Sequence, residues 1–366
     1  MASRRSFLTG LLAAGALPRP SWADAGAPDV IAAGKTGSGG YVICGLRASG
    51  EIVFRLPLPG RGHAGAAHPE RPEAVAFARR PGTFAVVIDC RSGAVISQLE
   101  SPESRHFMGH GTFSADGSLL YTPENAYDLG EGRIGIWDVA SGYRRIGEFW
   151  SGGVGPHEAL FLPGTQVMAI ANGGIDTHPD SGRAKLNLPV MKPNLSYATP
   201  EGEILETVDL PPEWHLNSIR HLAVRRDGLV AAAMQWEGDI AQAPPLLMLH
   251  RQGGAPVFAS FGGDEHRQMQ GYAGSVAMSA DGQVVAISSP RGSLVQSFDA
   301  GTGTPLASLA EPDVCGLAPL GSGLMATAGT GRVTRIEDGR LARLAEQPVS
   351  WDNHVVALHP QHESHA

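Results

Sequence analysis

One eight-residue skeleton recurs along the chain, and it constrains the fold more tightly than any local propensity. HGTFSADG (110–117), HLAVRRDG (221–228) and SVAMSADG (275–282) share a register: a strand of alternating small or apolar residues runs to an Asp-Gly turn, and a second strand follows. GPHEALFLPG (155–164) fits the same frame, with Pro163-Gly164 as its turn and TQVMAIANG as its second strand. In two copies a third strand is also legible, GRIGIWDVASG and GSLVQSFDAGTG. Such a unit is one blade of a β-propeller.

More divergent copies begin at His63, Cys315 and His354, which makes the anchors His63, His110, His157, His221, Ser275, Cys315 and His354. Their intervals of 47, 47, 64, 54, 40 and 39 residues suit the ~40–50 residues of a four-stranded blade. Seven blades are expected, in an all-β, WD-repeat-like propeller. Only one strand fits after His354, so N-terminal strands within DVIAAG, GYVICGL and EIVFRLPL must complete the last blade and remove the free sheet edges. The 64-residue interval holds one long Gly-, Pro- and Asn-rich insertion between the second and third strands of its blade.

Composition agrees with short strands joined by turns: 48 Gly and 27 Pro in 366 residues, with charged residues at 17%. Twenty-eight basic against 36 acidic residues give a formal charge of −8, and no Arg/Lys stripe interleaves with aromatics. A nucleic-acid partner is therefore excluded. Three widely spaced cysteines form no disulfide framework, and at least one thiol must be free.

The first 25 residues read as an address. Arg4 and Arg5 precede an apolar run too short to span a membrane, and Ala23-Asp24-Ala25 offers a cleavage site, the pattern of a twin-arginine export signal. The expected mature protein is periplasmic, with no transmembrane segment, one propeller domain over 26–360 and a flexible tail over 361–366.

In a propeller the innermost strands border a central channel, and equivalent first residues converge at one mouth. His63, His110, His157, His221, His354 and Cys315 would thus form a ring of imidazoles and a thiol, a donor set for a transition metal such as Fe, Cu or Zn. The alternative is a ring that only ties blades together by hydrogen bonds, as Gly-His pairs do in WD-repeat propellers; GH occurs here at 62–63 and 109–110. Ends of second strands return to the same mouth, which nominates Glu124, Asn125, Asn172, Gln235 and Trp236, together with Glu158 and the loop residue His178, as supporting or ligand-binding groups. His106, His215, His250 and His266 fit no shared register. No G-x-S-x-G elbow, H-E-x-x-H helix, phosphate loop or haem-attachment motif is present.

The segments GRGHAGAAHPERPEAVAFARRPGTF, RHFMGHGTFSADGSLLYTPEN, GPHEALFLPG and ANGGIDTHPDSGRAKLNLPVMKPNLSY, with the leader, resemble a bacterial domain-of-unknown-function family of exported propeller proteins. The resemblance covers nearly the whole mature chain. It implies encoding beside imelysin-like and di-haem peroxidase-like proteins in iron-related loci, and hence those proteins as partners and iron, with copper next, as the metal. Ser275 and Cys315 break the histidine pattern. Three readings follow: a metal-handling protein, an interaction scaffold with a purely structural ring, and a metal-dependent redox or hydrolytic enzyme.

Overall fold

Each recurring segment folds as its turn chemistry requires. Gly117, Gly164, Gly228 and Gly282, all seven steps after an anchor, adopt positive φ of 69°, 72°, 82° and 71°, the region that glycine enters without steric cost. Two of these turns are closed by the preceding aspartate: Asp116 Oδ1 accepts from the Ser118 amide at 3.0 Å and Asp281 Oδ1 from the Gln283 amide at 3.1 Å.

The computed structural model describes residues 20–79, 83–182 and 184–358. They form seven antiparallel blades, numbered here from His63. Blade 1 begins with Gly62–Ala67, blade 3 with Pro156–Phe161, blade 4 with Asn217–Val224, blade 5 with Ser275–Met278 and blade 6 with Val314–Leu320. The inner strand of blade 2 is split into His106–Phe107 and Thr112–Phe113. Blade 7 is composite: Val349–Ala357 is innermost and pairs with Val30–Thr36, followed by Tyr41–Leu46 and Ile52–Leu58. Its register runs from Val30 opposite Ala357 to Thr36 opposite Val349. The expected closure of the ring by the chain ends is therefore present. The insertion also lies where expected, between the strands Met168–Asn172 and Asn194–Ala198.

Apolar packing lies between blades. Seven buried clusters each draw on two consecutive blades, for example Phe77 and Val87 of blade 1 with Phe107 and Leu120 of blade 2. Strand alternation does this: Val30 faces the blade 6 side with Met325 and Val333, while its neighbour Ile31 faces the blade 1 side with Ala76 and Ile88.

Arg4 and Arg5 of the leader and the tail over 361–366 lie outside the described residues. Trp22 is 3% exposed in the cluster between blades 7 and 1, and its indole N–H donates to the His68 carbonyl at 2.9 Å. Trp22 thus packs against blades 7 and 1. Cys44, Cys90 and Cys315 are free and buried.

Deleting residues 349–366 should remove Val349 and Trp351 from one interblade cluster and Val356 and Leu358 from the next, opening the ring at two sheet edges. The expected result is loss of cooperative unfolding and of monomeric behaviour, read by near-UV circular dichroism and size exclusion. A truncated chain that stays monomeric and folded would refute closure as the source of stability.

Candidate metal centre

The side chains that meet in the channel are placed by interruptions of the inner strands. Pairing slips between Gly62 and Gly65, between Pro156 and Glu158, between Ile219 and His221, and between Val314 and Leu317. In blade 2 the interruption separates the two inner pieces, and in blade 7 it lies between Trp351 and Val355. His63, His110, His157, His221 and His354 all lie within or at the edge of such a break. A bulge leaves a residue out of the ladder and re-aims its side chain. Blade 5, whose Ser275 pairs regularly with Ser288, contributes no imidazole. Ser275 instead accepts from the Leu317 amide through its hydroxyl at 3.2 Å.

The five imidazoles form one cluster centred on His110. Its ring centroid lies 5.1 Å from His63, 4.8 Å from His157, 5.3 Å from His221 and 4.7 Å from His354. Two overlapping trios, His63/His110/His157 and His110/His221/His354, each offer nitrogens within 4.8 Å of one another. Four of the five side chains are buried and His63 is half-buried. Gly109, at φ 96°, makes room for this packing, since a Cβ there would stand 2.3 Å from His63 Cδ2.

The nitrogens are poorly satisfied. His63 Nδ1, His110 Nε2, His157 Nδ1, His221 Nδ1 and His354 Nε2 are buried without a hydrogen bond. Outside the register, His250 meets the Tyr197 hydroxyl at 2.7 Å, His215 the Pro212 carbonyl at 3.0 Å and His106 the Phe107 carbonyl at 3.2 Å, while His266 meets the Pro244 carbonyl at 2.7 Å through Nε2 and keeps its Nδ1 buried without a hydrogen bond. A cavity of about 10 Å³ beside His354 is otherwise lined by residues such as Ile31, Ala64 and Val356.

Glu158 links two of the rings. Its Oε1 lies 3.5 Å from His110 Nδ1, its Oε2 lies 3.5 Å from His221 Nδ1, and Oε2 also accepts from the Leu222 amide at 2.9 Å. The imidazoles beside it hold its carboxyl well below the usual range in spite of burial. A carboxylate facing Nδ1 of His110 favours the proton on that nitrogen and leaves the Nε2 lone pair for a ligand. Burial lowers His221 to about 4, and burial together with neighbouring cationic groups takes His63, His157 and His354 well below the ordinary imidazole value. Neutral imidazole is the ligating form.

The other candidates face elsewhere. Cys315 belongs to neither trio; its thiol donates to the Asp313 carbonyl at 3.1 Å, and burial pushes it up to about 12, so it stays protonated. Glu124 is taken by Arg145 and Thr122, and Asn125 holds the insertion through the Thr177 carbonyl at 2.9 Å. Asn172 binds Ser151 and Asn194, Gln235 the Ala273 carbonyl, and Trp236 the Asp239 carbonyl. His178 caps a turn through Asp180 and faces Asp128 at 3.3 Å. Sequence reasoning missed the charged groups beside the anchors, Arg61, Arg79, Arg220 and Asp352, although Arg220 directly precedes His221.

Residues 56–358 match the model of DUF1513, described as a protein of unknown function. The chain belongs to the DUF1513 family. No curated protein matches it. Among solved structures it is similar to Kuenenia stuttgartiensis hydrazine synthase (TM-score 0.60, 12% identity, 81% of this chain and 89% of that one). It is also similar to a chain of the mitotic checkpoint complex (TM-score 0.57, 15% identity, 78% and 77%) and to BamB from Moraxella catarrhalis (TM-score 0.54, 15% identity, 91% and 92%). At these identities the likeness concerns the fold alone.

Two outcomes follow for the metal-free DUF1513 protein. A histidine whose folded-state value lies below ~6.5 is protonated first in the unfolded chain, so its contribution is complete above ~6.5 and is lost as pH falls toward the folded value. Glu158, also lowered, adds a loss below the ordinary carboxyl range. Urea unfolding should therefore show stability dropping between pH 6.5 and 4, by up to ~1.4 kcal/mol per pH unit for each such histidine. A flat profile would contradict buried neutral imidazoles. Gly109→Ala should cost roughly 1–3 kcal/mol through its backbone conformation and the His63 contact, measured by the same unfolding.

Proposed function

We propose that this DUF1513 protein binds one transition-metal ion at the cluster centred on His110 and serves metal uptake or handling in the periplasm. The observation that carries the reading is the convergence of five imidazoles, of which His63, His110, His157 and His354 each keep a buried nitrogen that makes no hydrogen bond. An unsatisfied buried polar group costs roughly 1–3 kcal/mol, and a metal ion would satisfy several at once. Iron is the first choice and copper the next. An all-imidazole set suits Fe(II) and Cu better than Mg or Ca, which want oxygen ligands, and the resemblance to proteins of iron-related loci favours iron. The paired arginines of the leader support export, and imelysin-like or di-haem peroxidase-like proteins are the proposed exchange partners.

The test is titration of the full-length exported protein with Fe(II) under anaerobic conditions, Cu(I), Cu(II) and Zn(II). One ion should bind per chain, and His110→Ala should weaken binding at least a hundredfold with the circular dichroism spectrum unchanged. Three ligands titrating at the ordinary ~6.5 would lose about a thousandfold in affinity between pH 7.5 and 5.5. With burial holding His221 at about 4 and His63, His157 and His354 well below the ordinary imidazole value, the loss should be far smaller. Metal binding equal in wild type and His110→Ala, or none in either, would leave the ring structural.

A further inference from the structure

The mouth of the channel beside the cluster is lined by arginines. Arg220 is the residue skipped by the inner-strand bulge of blade 4, directly before His221. Its side chain is 12% exposed, its Nε is buried without a hydrogen bond, and the nearest carboxylate, Glu237, lies 4.0 Å away with its other oxygen taken by Lys185. Arg61 and Arg79 share one carboxylate, Asp352, at 2.7 and 3.1 Å, two residues before His354. Next to them in sequence, Asn353 donates to the Tyr272 hydroxyl at 3.4 Å, and Arg291 stacks over the Tyr272 ring at 4.3 Å. The charge of Arg220 reaches His63, His157 and His221, and that of Arg79 reaches His63 and His354.

These guanidinium groups stand beside five imidazoles, which as metal ligands are neutral donors. A metal ion in the cluster would add at least two positive charges, met at close range by Glu158 alone among the residues described here as touching it. Asp352 is already divided between two arginines and Glu237 is held by Lys185. Guanidinium groups bind planar or tetrahedral oxyanions through paired N–H donors, and a half-buried setting strengthens that attraction relative to water.

We propose that the metal-loaded cluster takes a small oxyanion as co-ligand, bound on the mouth side of the metal and held by Arg220 and Arg79. The inference rests on the metal reading above. The oxyanion supplies the negative charge that the imidazoles lack and fills a coordination position that neutral nitrogens leave open. Carbonate, phosphate and a free carboxylate share this chemistry.

Equilibrium dialysis of the full-length protein tests it, with Zn(II) as a redox-inert metal and radiolabelled bicarbonate or inorganic phosphate as separate probes. Metal content and anion content are measured independently on each sample. One anion should be retained per metal, with the preferred probe identifying the oxyanion, and the metal-free chain should retain at least tenfold less. Arg220→Gln should weaken anion retention at least tenfold while zinc stays near one per chain, and Arg220→Lys should fall between. Arg79→Gln should act in the same direction and covers the case in which Arg220→Gln fails to fold. Stoichiometric zinc without anion, equal retention with and without zinc, or retention unchanged in both glutamine variants overturns the proposal. Absence of zinc from the wild type overturns the metal reading, and this inference with it.

Discussion

The pairing of Val349–Ala357 with Val30–Thr36 is the interaction on which the rest depends. No blade has a core of its own. Because successive side chains of a strand point to opposite faces, a central strand such as Val230–Trp236 sends Val230, Ala232 and Met234 toward blade 3 and Ala231 and Ala233 toward blade 5. Such strands read as continuous apolar runs, the signature of burial on both faces. Stability is thus shared around a closed circle, and the two chain ends are what close it. The same closure fixes the spacing of the inner strands and therefore the distance between side chains that enter the channel.

That rigidity permits an arrangement a smaller fold would not tolerate. Inner strands that converge at a mouth must shed bulk and regularity, and they do so with bulges and with glycines such as Gly109 and Gly316, whose added Cβ atoms would strike His63 and the backbone next to His354. Five imidazoles are packed at centroid separations of 4.5–5.7 Å where described, each with a buried nitrogen left without a hydrogen bond. Desolvation holds His63, His157, His221 and His354 below the ordinary imidazole value, because a proton on one would place a charge beside the others in a medium that screens it poorly. Locally unfavourable polar burial persists only where the surroundings over-determine it, and seven interblade clusters supply that constraint.

Legibility in the sequence followed periodicity. Blade number, turn positions, the composite blade and the place of the insertion all rest on a register that repeats with an Asp-Gly or Pro-Gly turn, so they could be read without coordinates. The five histidines were legible for the same reason. Their neighbours were not, because one step along a strand reverses the face: Glu124 turns to Arg145 while Asn125 turns to His106 and Thr177. Bulges leave no mark in the hydrophobic pattern either, and Arg220 reads as an ordinary strand residue until the slip between Ile219 and His221 is seen. Cys315 shares the register of the histidines, yet its thiol turns to the Asp313 carbonyl, which a register alone does not reveal.

Glu158 shows how closure and chemistry meet. It belongs to blade 3, yet its two oxygens face His110 of blade 2 and His221 of blade 4, and its contact with the Leu222 amide adds a hydrogen bond to the second neighbour. One carboxylate on blade 3 thereby bears on two rings carried by the blades on either side of it. Its lowered proton affinity follows from that placement, and so does its role: it stays ionised, accepts from Nδ1 of His110 and turns the Nε2 lone pair of the central ring toward the other imidazoles. The opposite side of the cluster, toward Arg79 and Arg220, has no comparable carboxylate free to do the same. The charges at the cluster are therefore unevenly shared, with one carboxylate, Glu158, facing His110 and His221 while the arginines near the other rings have their carboxylate partners already divided among cations.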